Sequence, residues 1–224
     1  MLKDLPKIVV ICGHYGVGKT NVSLNLAYKY KQMGERVSLV DLDVVNPYFV
    51  SSVYKSEIEK QGVRLISPQF ANSNLDHPSL PSDINSIFSD DCKRAIIDVG
   101  GDDAGSTALG TIAKAIKSRN YSFFYVINKY RILTTEAKKA ADLLPEIEKA
   151  SRLQATGIIN NSHLSNWTKS DDIFAAIPFA QTVSELTELP LSFTTVPEHL
   201  VKEAEGKIAN ILPISIHVKK PWES

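Results

Sequence analysis

The stretch that most constrains this chain is residues 13–20, which read GHYGVGKT. This is the G-x-x-x-x-G-K-T pattern of a phosphate-binding loop. An apolar, β-branched run at residues 7–12 precedes it, and apolar residues at helical spacing follow at 21–28. Glycines let backbone N–H groups curl around an oxyanion without an obstructing Cβ, and a helix start adds its positive dipole end. The order of strand, glycine loop and helix therefore predicts binding of a nucleoside phosphate.

Each part of the loop has an expected role. The residues expected to enclose the phosphates are Gly13, His14, Tyr15, Gly16, Val17, Gly18, Lys19 and Thr20, with Asn21 next to them. Lys19 should reach the β- and γ-phosphates and stabilise charge on the transferred phosphoryl group, which makes it a catalytic candidate. The Thr20 hydroxyl is a candidate ligand for Mg²⁺.

Two aspartates follow predicted strands, where ligands sit in an open parallel sheet. Asp98 ends an apolar run in the manner of a Walker B element, so we expect it to hold Mg²⁺. Asp43 is the candidate for orienting the attacking water and a second possible metal ligand. Gly101 completes a D-x-x-G pattern with Asp98, and its amide is expected to bind the γ-phosphate. The alternative for both aspartates is an ordinary turn or N-cap role.

The remaining chain alternates between strand-like and helix-like segments. Strands are predicted at 36–41, 62–66, 93–99, 122–127, 156–160 and 173–179, with an edge strand through Ile214, Ile216 and Val218. Helices are predicted up to Met33 and at 52–60, 106–117, 134–151 and 197–209, with a turn at 46–49. We therefore expect an α/β fold, a single P-loop domain over residues 1–224 with a mostly parallel central sheet covered by helices on both faces.

Composition limits the possible partners. Lys plus Arg and Asp plus Glu both number 25, so the net charge is zero and neither nucleic-acid binding nor stable membrane association is expected. The chain enters its first predicted strand at once, and it contains no apolar run long enough to span a bilayer. Cys12 and Cys92 lack any C-x-x-C spacing, which argues against a disulfide framework or a zinc site. A reducing cytoplasm is the expected location.

Several of these segments resemble the MinD/ParA and CobQ/CobB branch of P-loop ATPases, within the SIMIBI class. The resemblance is carried by Gly16–Thr20 with Asn25-Leu26-Ala27, by Asp41-Leu42-Asp43, by Asp98–Gly101 and by residues 157–161. It covers the chain to about Leu186. It implies a slow Mg-ATPase whose nucleotide state switches a surface that binds a partner protein.

The loop departs from the family pattern at two positions. His14 stands where the family has a signature lysine, and Asn21 replaces the usual second threonine. In the family that lysine reaches across a homodimer to the partner's phosphates, so homodimerisation is weakened here but stays possible. His14 can substitute only when protonated, and the alternative is that it merely shapes the loop. Relatives that bridge an iron–sulfur cluster carry cysteines near the second switch; this segment has none, and we expect no cluster.

The base is predicted to be adenine. A GTPase would show N-K-x-D, whereas residues 128–131 read NKYR, and the arginine cannot accept hydrogen bonds from guanine. Asn161 resembles the family's adenine-contacting asparagine, since its amide offers a donor and an acceptor. Pro178, in residues 177–179, resembles the family's segment beside the base, or it simply ends a strand. ATP and Mg²⁺ are the expected cofactors.

A second reading keeps the fold and changes the reaction. An ATP-dependent small-molecule kinase or an amide ligase of the dethiobiotin synthetase or cobyrinate synthase type shares this architecture, and the loop at 67–81 could serve as its substrate lid. A solvated connection is the favoured explanation of the same loop. Kinases bring clustered arginines to their phosphates, and the arginines here are scattered singly. The switch ATPase is therefore the favoured hypothesis.

Overall fold

The computed structural model describes residues 2–43, 52–67, 82–89, 91–101 and 103–218. The strands are β1 Ile8–Cys12, β2 Val37–Leu42, β3 Arg64–Ile66, β4 Arg94–Val99, β5 Tyr121–Ile127, β6 Gly157–Asn160, β7 Leu191–Pro197 and β8 Ile211–Ile214. The helices are α1 Lys19–Gln32, α2 Ser52–Lys60, α3 Asp103–Lys117, α4 Ala137–Ser151, α5 Ser170–Thr187 and α6 Val201–Ala204. The predicted turn at 46–49 and almost all of the predicted loop at 67–81 lie outside the described residues.

The eight strands form one sheet in the order β3-β2-β4-β1-β5-β6-β7-β8. Every neighbouring pair is parallel, so the carboxyl ends of all the strands meet at one edge. β1 lies inside the sheet between β4 and β5, and the glycine loop leaves its carboxyl end. The sheet therefore delivers the loop and the strand-end aspartates to the same edge, and the predicted fold class is confirmed.

Helices cover both faces of the sheet. The side chains of α1 and Ile58 of α2 pack with alternate residues of β1 and β5 such as Val9 and Phe124. The side chains of α3, α4 and α5 pack on the opposite face, against residues such as Val10 and Phe123. All five residues of β1 are buried for this reason, which is why it reads as a continuous apolar run without alternation.

The strand predicted at 173–179 is wrong, because these residues lie in helix α5. The apolar run was taken for a strand, but the buried residues recur at the helical spacing of Ile173, Ala176, Phe179, Ala180 and Val183. Pro178 occupies an exposed position inside this helix and ends no strand. The reason for placing it beside the base therefore fails.

Two other boundaries near the end of the chain also differ. The strand β7 was not predicted, and the helix predicted at 197–209 is reduced to α6 after a 3-10 turn at Glu198–Leu200. Thr194, Thr195 and Val196 form a β-branched run between two prolines, a pattern that is typical of a strand.

The helix predicted at 134–151 begins only at Ala137, after a 3-10 turn at Ile132–Thr134.

The chain after β8 is held by the first two turns of α1 and not by a strand. Asn21 Nδ2 donates to the Ser215 carbonyl at 3.0 Å, and Asn21 Oδ1 accepts from the His217 N–H at 2.8 Å. Asn25 pairs with both backbone groups of Ser215, at 2.9 Å each. The His217 ring meets the edge of Tyr28 at 4.9 Å between centroids. The edge strand predicted through Val218 thus ends at Ile214, and asparagine side chains replace a strand partner for residues 215–218.

No helix among the described residues has the length and apolar character needed to cross a membrane.

We expect Asn25→Ala to lower the free energy of unfolding by roughly 1–2 kcal/mol, because it leaves the partly buried N–H of Ser215 without its partner, while the Ser215 carbonyl keeps the hydrogen bond from Asn21. Urea denaturation of both proteins measures the change. Asn25→Asp, which keeps the acceptor and loses the donor, should fall between them. Asn120→Ala removes an exposed asparagine and should stay within about 0.5 kcal/mol of the parent. Equal stability of Asn25→Ala and Asn120→Ala would show that these hydrogen bonds contribute nothing.

Candidate functional site

The glycine loop is fixed by close contacts that only glycine permits. A Cβ on Gly13 would lie 2.4 Å from the Val126 carbonyl oxygen. A Cβ on Gly18 would lie 2.3 Å from Asn161 Nδ2, and Gly18 also has a φ of +93°, in the left-handed region. Gly18 caps helix α1, so the helix begins at Lys19 with its first amides facing the loop. This conformation forms an anion-binding concavity at a helix N-terminus.

Lys19 and Thr20 lie at the bottom of this loop. Lys19 is almost wholly buried, and its Nζ donates to the His14 carbonyl oxygen at 3.1 Å. The imidazole Nδ1 of His14 lies 3.3 Å from the Tyr15 carbonyl oxygen, to which it donates in one tautomer. The backbone of His14 therefore orients the lysine, while its ring remains within the loop.

Asp98, at the end of β4, faces the start of α1. Its carboxylate accepts a hydrogen bond from Ser23 Oγ at 3.2 Å and another from the Thr20 hydroxyl. Burial raises the pKa of Asp98 to about 6, and the charge of Asp43 adds to this, while Lys19 and the two hydroxyls lower it. The carboxylate is thus buried, hydrogen-bonded and in the electrostatic field of the lysine.

Asp41 and Asp43 stand beside Asp98. Asp41 is opposite Asp98 in the register of β2 and β4, and its Oδ1 accepts from the Asp43 N–H at 2.8 Å. Burial and the neighbouring Asp98 raise the pKa of Asp41 to about 8, against the hydrogen bond from Asp43. Asp41 is therefore largely protonated at neutral pH, and it fixes the backbone that presents Asp43.

This donor set suits Mg²⁺ bound mainly by phosphate and water. Among the described residues, no three His, Cys, Asp or Glu side chains are grouped so as to hold a metal by themselves. Mg²⁺ normally keeps several waters and takes one or two protein ligands together with substrate phosphates. Thr20, Asp43 and Asp98 carry oxygen atoms of the type that such a site uses, as the sequence predicted.

Gly101 lies against the glycine loop. A Cβ at this position would come within 2.6 Å of the Tyr15 nitrogen and 2.8 Å of Lys19 Nζ. The D-x-x-G segment after β4 is therefore in direct contact with the backbone and the lysine of the loop.

Asn161 joins the loop to the last strands of the sheet. Its side chain is fully buried; Nδ2 donates to the Val17 carbonyl at 2.8 Å, and Oδ1 accepts from Thr195 Oγ1 at 2.7 Å. In this structure the amide braces the loop, with both of its ends engaged by protein groups.

The turn after β5 places an arginine over the loop. Asn128 Oδ1 accepts from the Tyr130 N–H at 2.9 Å, and Lys129 N–H donates to Ser162 Oγ at 2.9 Å. The Cδ and Nε atoms of Arg131 both lie 3.9 Å from where a Cβ on Gly16 would be. Arg131 therefore borders the loop on the side away from the aspartates.

A model of the CobQ/CobB/MinD/ParA nucleotide-binding domain family matches residues 8–188, most of the chain. The chain belongs to this family. The family resemblance inferred from the glycine loop and the strand-end aspartates is thereby confirmed. A search among curated proteins finds no match.

Solved structures with the same fold include the signal recognition particle 54 kDa protein of Aeropyrum pernix in complex with GDP, with 22% identity and a TM-score of 0.56 over 85% of this chain. Chloroplast FtsY of Physcomitrella patens has 16% identity and a TM-score of 0.58 over 84% of it. FtsY of Thermotoga maritima has 20% identity and a TM-score of 0.56 over 86% of it. The chain spans only 41%, 58% and 62% of these three proteins. At such identities the likeness concerns the fold.

In this member of the CobQ/CobB/MinD/ParA family, three residues that were predicted to contact the nucleotide lie in different environments from those expected. The amide of Asn21 binds the chain after β8, and that of Asn161 binds the loop and Thr195. Pro178 is exposed on α5. An apolar residue followed by proline does end a strand at Val196–Pro197, next to β6. Val196 and Pro197 therefore have the strand-end position that the sequence predicted for residues 177–179.

Sequence reasoning missed four residues that border the site: Ser23, Asp41, Thr195 and Arg131. Ser23 follows Thr20 by three positions and so shares its helix face, which is a signal available in the sequence. Asp41 was named at a strand end as part of the family resemblance but was given no role, because its place opposite Asp98 depends on the order of the sheet. Thr195 lies in the strand that was not predicted, and Arg131 was considered only as a missing aspartate.

We expect Gly101→Ala to weaken ATP binding about tenfold or more and to cost about 1–3 kcal/mol in stability, because the added Cβ overlaps the Tyr15 backbone and Lys19. Titration with ATP and urea denaturation measure the two effects. Gly206→Ala is the control: its Cβ meets nothing, but a φ of +75° makes it costly to stability alone. Unchanged affinity in Gly101→Ala would show that this contact does not shape the loop.

Proposed function

We propose that this nucleotide-binding domain is a slow Mg²⁺-dependent ATPase whose nucleotide state switches a partner-binding surface. The observation that carries the proposal is the convergence of Lys19, Thr20, Asp43 and Asp98 at one edge of the sheet. A glycine loop on a helix N-terminus binds phosphate, and carboxylates beside it serve a metal and a water. The family match supports the nucleotide, while hydrolysis and switching are inferred from the side chains.

Each group at the site has its own role in the proposed hydrolysis of ATP. The loop amides and Lys19 bind and orient the phosphate chain and stabilise negative charge that develops on it. Mg²⁺, when bound, supplies further positive charge. Thr20 and Asp98 are hydrogen-bonded to each other, so the hydroxyl is held in place as a ligand. Asp43 is presented by the Asp41 carboxyl and is the group assigned to orient the attacking water.

The contact of Gly101 with the loop supports the switch. Lys19 Nζ lies close to both the His14 carbonyl and Gly101. A lysine drawn toward phosphate leaves the position that it shares with Gly101, and the segment leading into α3 must follow. This is the form of coupling by which a local charge contact moves a neighbouring element.

ATP is proposed over GTP because of the turn after β5. Asn128 uses its side-chain oxygen to close that turn on the Tyr130 N–H, and Arg131 follows. A guanidinium has only donors, so it cannot replace the aspartate that accepts from guanine. GDP in the structure of the signal recognition particle protein is a property of that protein.

Exposed apolar side chains around the site support a protein partner. Among the described residues, five of the seven exposed large apolar side chains lie in the glycine loop or in the loops after β5 and β6. These five are Tyr15, Ile132, Leu133, Leu164 and Trp167, with Ile132 90% and Trp167 81% exposed. Apolar surface gathered at one edge is typical of an interaction site, whereas scattered apolar residues are ordinary.

The first test is ATP hydrolysis with Mg²⁺ by the purified protein, together with its mass in ADP and in a non-hydrolysable ATP analogue. We expect slow turnover, and Lys19→Ala should abolish nucleotide binding or turnover because it removes the charge that faces the phosphates. Lys29→Ala, in the last turn of the same helix, is the matched control and should behave like the parent. A Lys19→Ala protein with full affinity and turnover would remove the site from consideration. A change of mass with the analogue alone would identify a second copy as the partner.

Asp43→Asn should bind ATP with near-parental affinity and hydrolyse it at least about a hundredfold more slowly, because the amide cannot take a proton from water. Single-turnover hydrolysis and ATP titration separate the two quantities. Asp142→Asn, an exposed position on α4, is the control. Parental turnover in Asp43→Asn would exclude it from catalysis.

A further inference from the structure

Apart from Mg²⁺, the side chains described so far at the glycine loop supply little positive charge for a polyphosphate. One buried lysine, Lys19, lies near the Asp98 carboxylate, which also experiences the negative charge of Asp43. A nucleoside triphosphate brings several negative charges to this place. Position 14, next in the loop, carries an imidazole and not a permanent cation. A second permanent positive charge near the phosphates would offset the carboxylates.

Arg131 has a backbone position that is fixed from three sides. Its N–H donates to the Asn128 carbonyl at 3.3 Å, closing the turn. The preceding Tyr130 hydroxyl donates to the Asp172 carbonyl of α5, and Lys129 N–H donates to Ser162 Oγ. The arginine therefore starts from a rigid support at the carboxyl edge of the sheet. Its Cδ and Nε reach within 3.9 Å of the position of a Gly16 Cβ.

The Arg131 guanidinium is available to bind a ligand. It forms no hydrogen bond or ion pair with any residue in the described part of the chain, and the side chain is exposed. Its neighbour Lys129 differs, since Lys129 Nζ donates to the Ala175 carbonyl at 2.7 Å. A structural role accounts for the lysine and leaves the arginine without one.

His163, from the loop after β6, does not compete as a cation. Its Nδ1 accepts from the Ser165 N–H at 3.1 Å. Burial and the positive charge of Arg131 lower the pKa of His163 to about 4, so its ring is neutral at physiological pH. Of Arg131 and His163, Arg131 is therefore the one that carries a positive charge.

We propose that Arg131 binds the phosphate chain of the nucleotide held by residues 13–20, from the side opposite Asp43 and Asp98. This rests on the proposed function, because it requires a phosphate ligand in the loop. A guanidinium is permanently charged and presents a planar fork of donors that matches phosphate oxygens, which suits it to this contact. Even a Cβ at position 16 would be only in ordinary contact with this side chain, so Arg131 lies directly beside the loop without crowding it.

The test compares equilibrium affinities for Mg-ATP and for inorganic triphosphate, which has no base. The proteins are the parent, Arg131→Gln, Arg131→Lys and the control Arg152→Gln, which removes one charge at the exposed end of α4. Arg131→Gln should weaken both ligands by roughly ten- to a hundredfold, the usual value of a charge-assisted contact. Arg131→Lys should recover part of the loss, and Arg152→Gln should match the parent.

Each other result is decisive. If Arg131→Gln weakens ATP but leaves inorganic triphosphate unchanged, the guanidinium contacts the base and the proposal is wrong. Parental affinity of Arg131→Gln for both ligands also overturns it, while the proposed function stands. A parent protein that binds neither ligand overturns the proposed function and this inference together. Circular dichroism of each variant separates loss of binding from loss of folding.

Discussion

The structure depends on burying acidic side chains at the ends of two adjacent parallel strands. Asp41 and Asp98 are side by side on β2 and β4, where water is excluded by the helices above and below. Burial of two such groups is costly unless they are neutralised or hydrogen-bonded. Here Lys19, Thr20 and Ser23 compensate Asp98, and protonation compensates Asp41. The first turn of α1 must therefore lie against β4, and this requirement sets the conformation of the loop between β1 and α1.

Much of this arrangement could be predicted from local sequence. The glycine pattern, the apolar runs and the aspartates that follow them are short-range signals, and they predicted the loop, the parallel sheet and the place of Asp98. Errors arose where local and tertiary preferences diverged. Residues 173–179 are rich in β-branched and aromatic residues, and their burial between α4 and the sheet made them helical.

The contacts that the sequence did not predict are those between distant parts of the chain. Asn161 meets Thr195, and Asn21 meets Ser215 and His217, because the sheet brings β6, β7, β8 and α1 together. Asparagine and threonine are common in loops and at helix caps, so the residue types alone do not indicate a hydrogen-bond partner that is distant in the sequence. Asn161 was likewise predicted only to contact the base, and its hydrogen bond to the Val17 carbonyl was not foreseen.

The attachment of the chain after β8 to α1 has a mechanical consequence. Asn21 and Asn25 attach the helix that carries Lys19 and Thr20 to residues beyond the last strand, so the helix cannot slide along its axis without breaking five side-chain hydrogen bonds. The side chain of Arg131, in contrast to its backbone, forms no hydrogen bond in the part of the chain that the structure describes. Helix α1 thus forms a fixed base for the phosphate-binding loop. Rearrangements on ligand binding should be confined to the segment around Gly101 and to the Arg131 side chain.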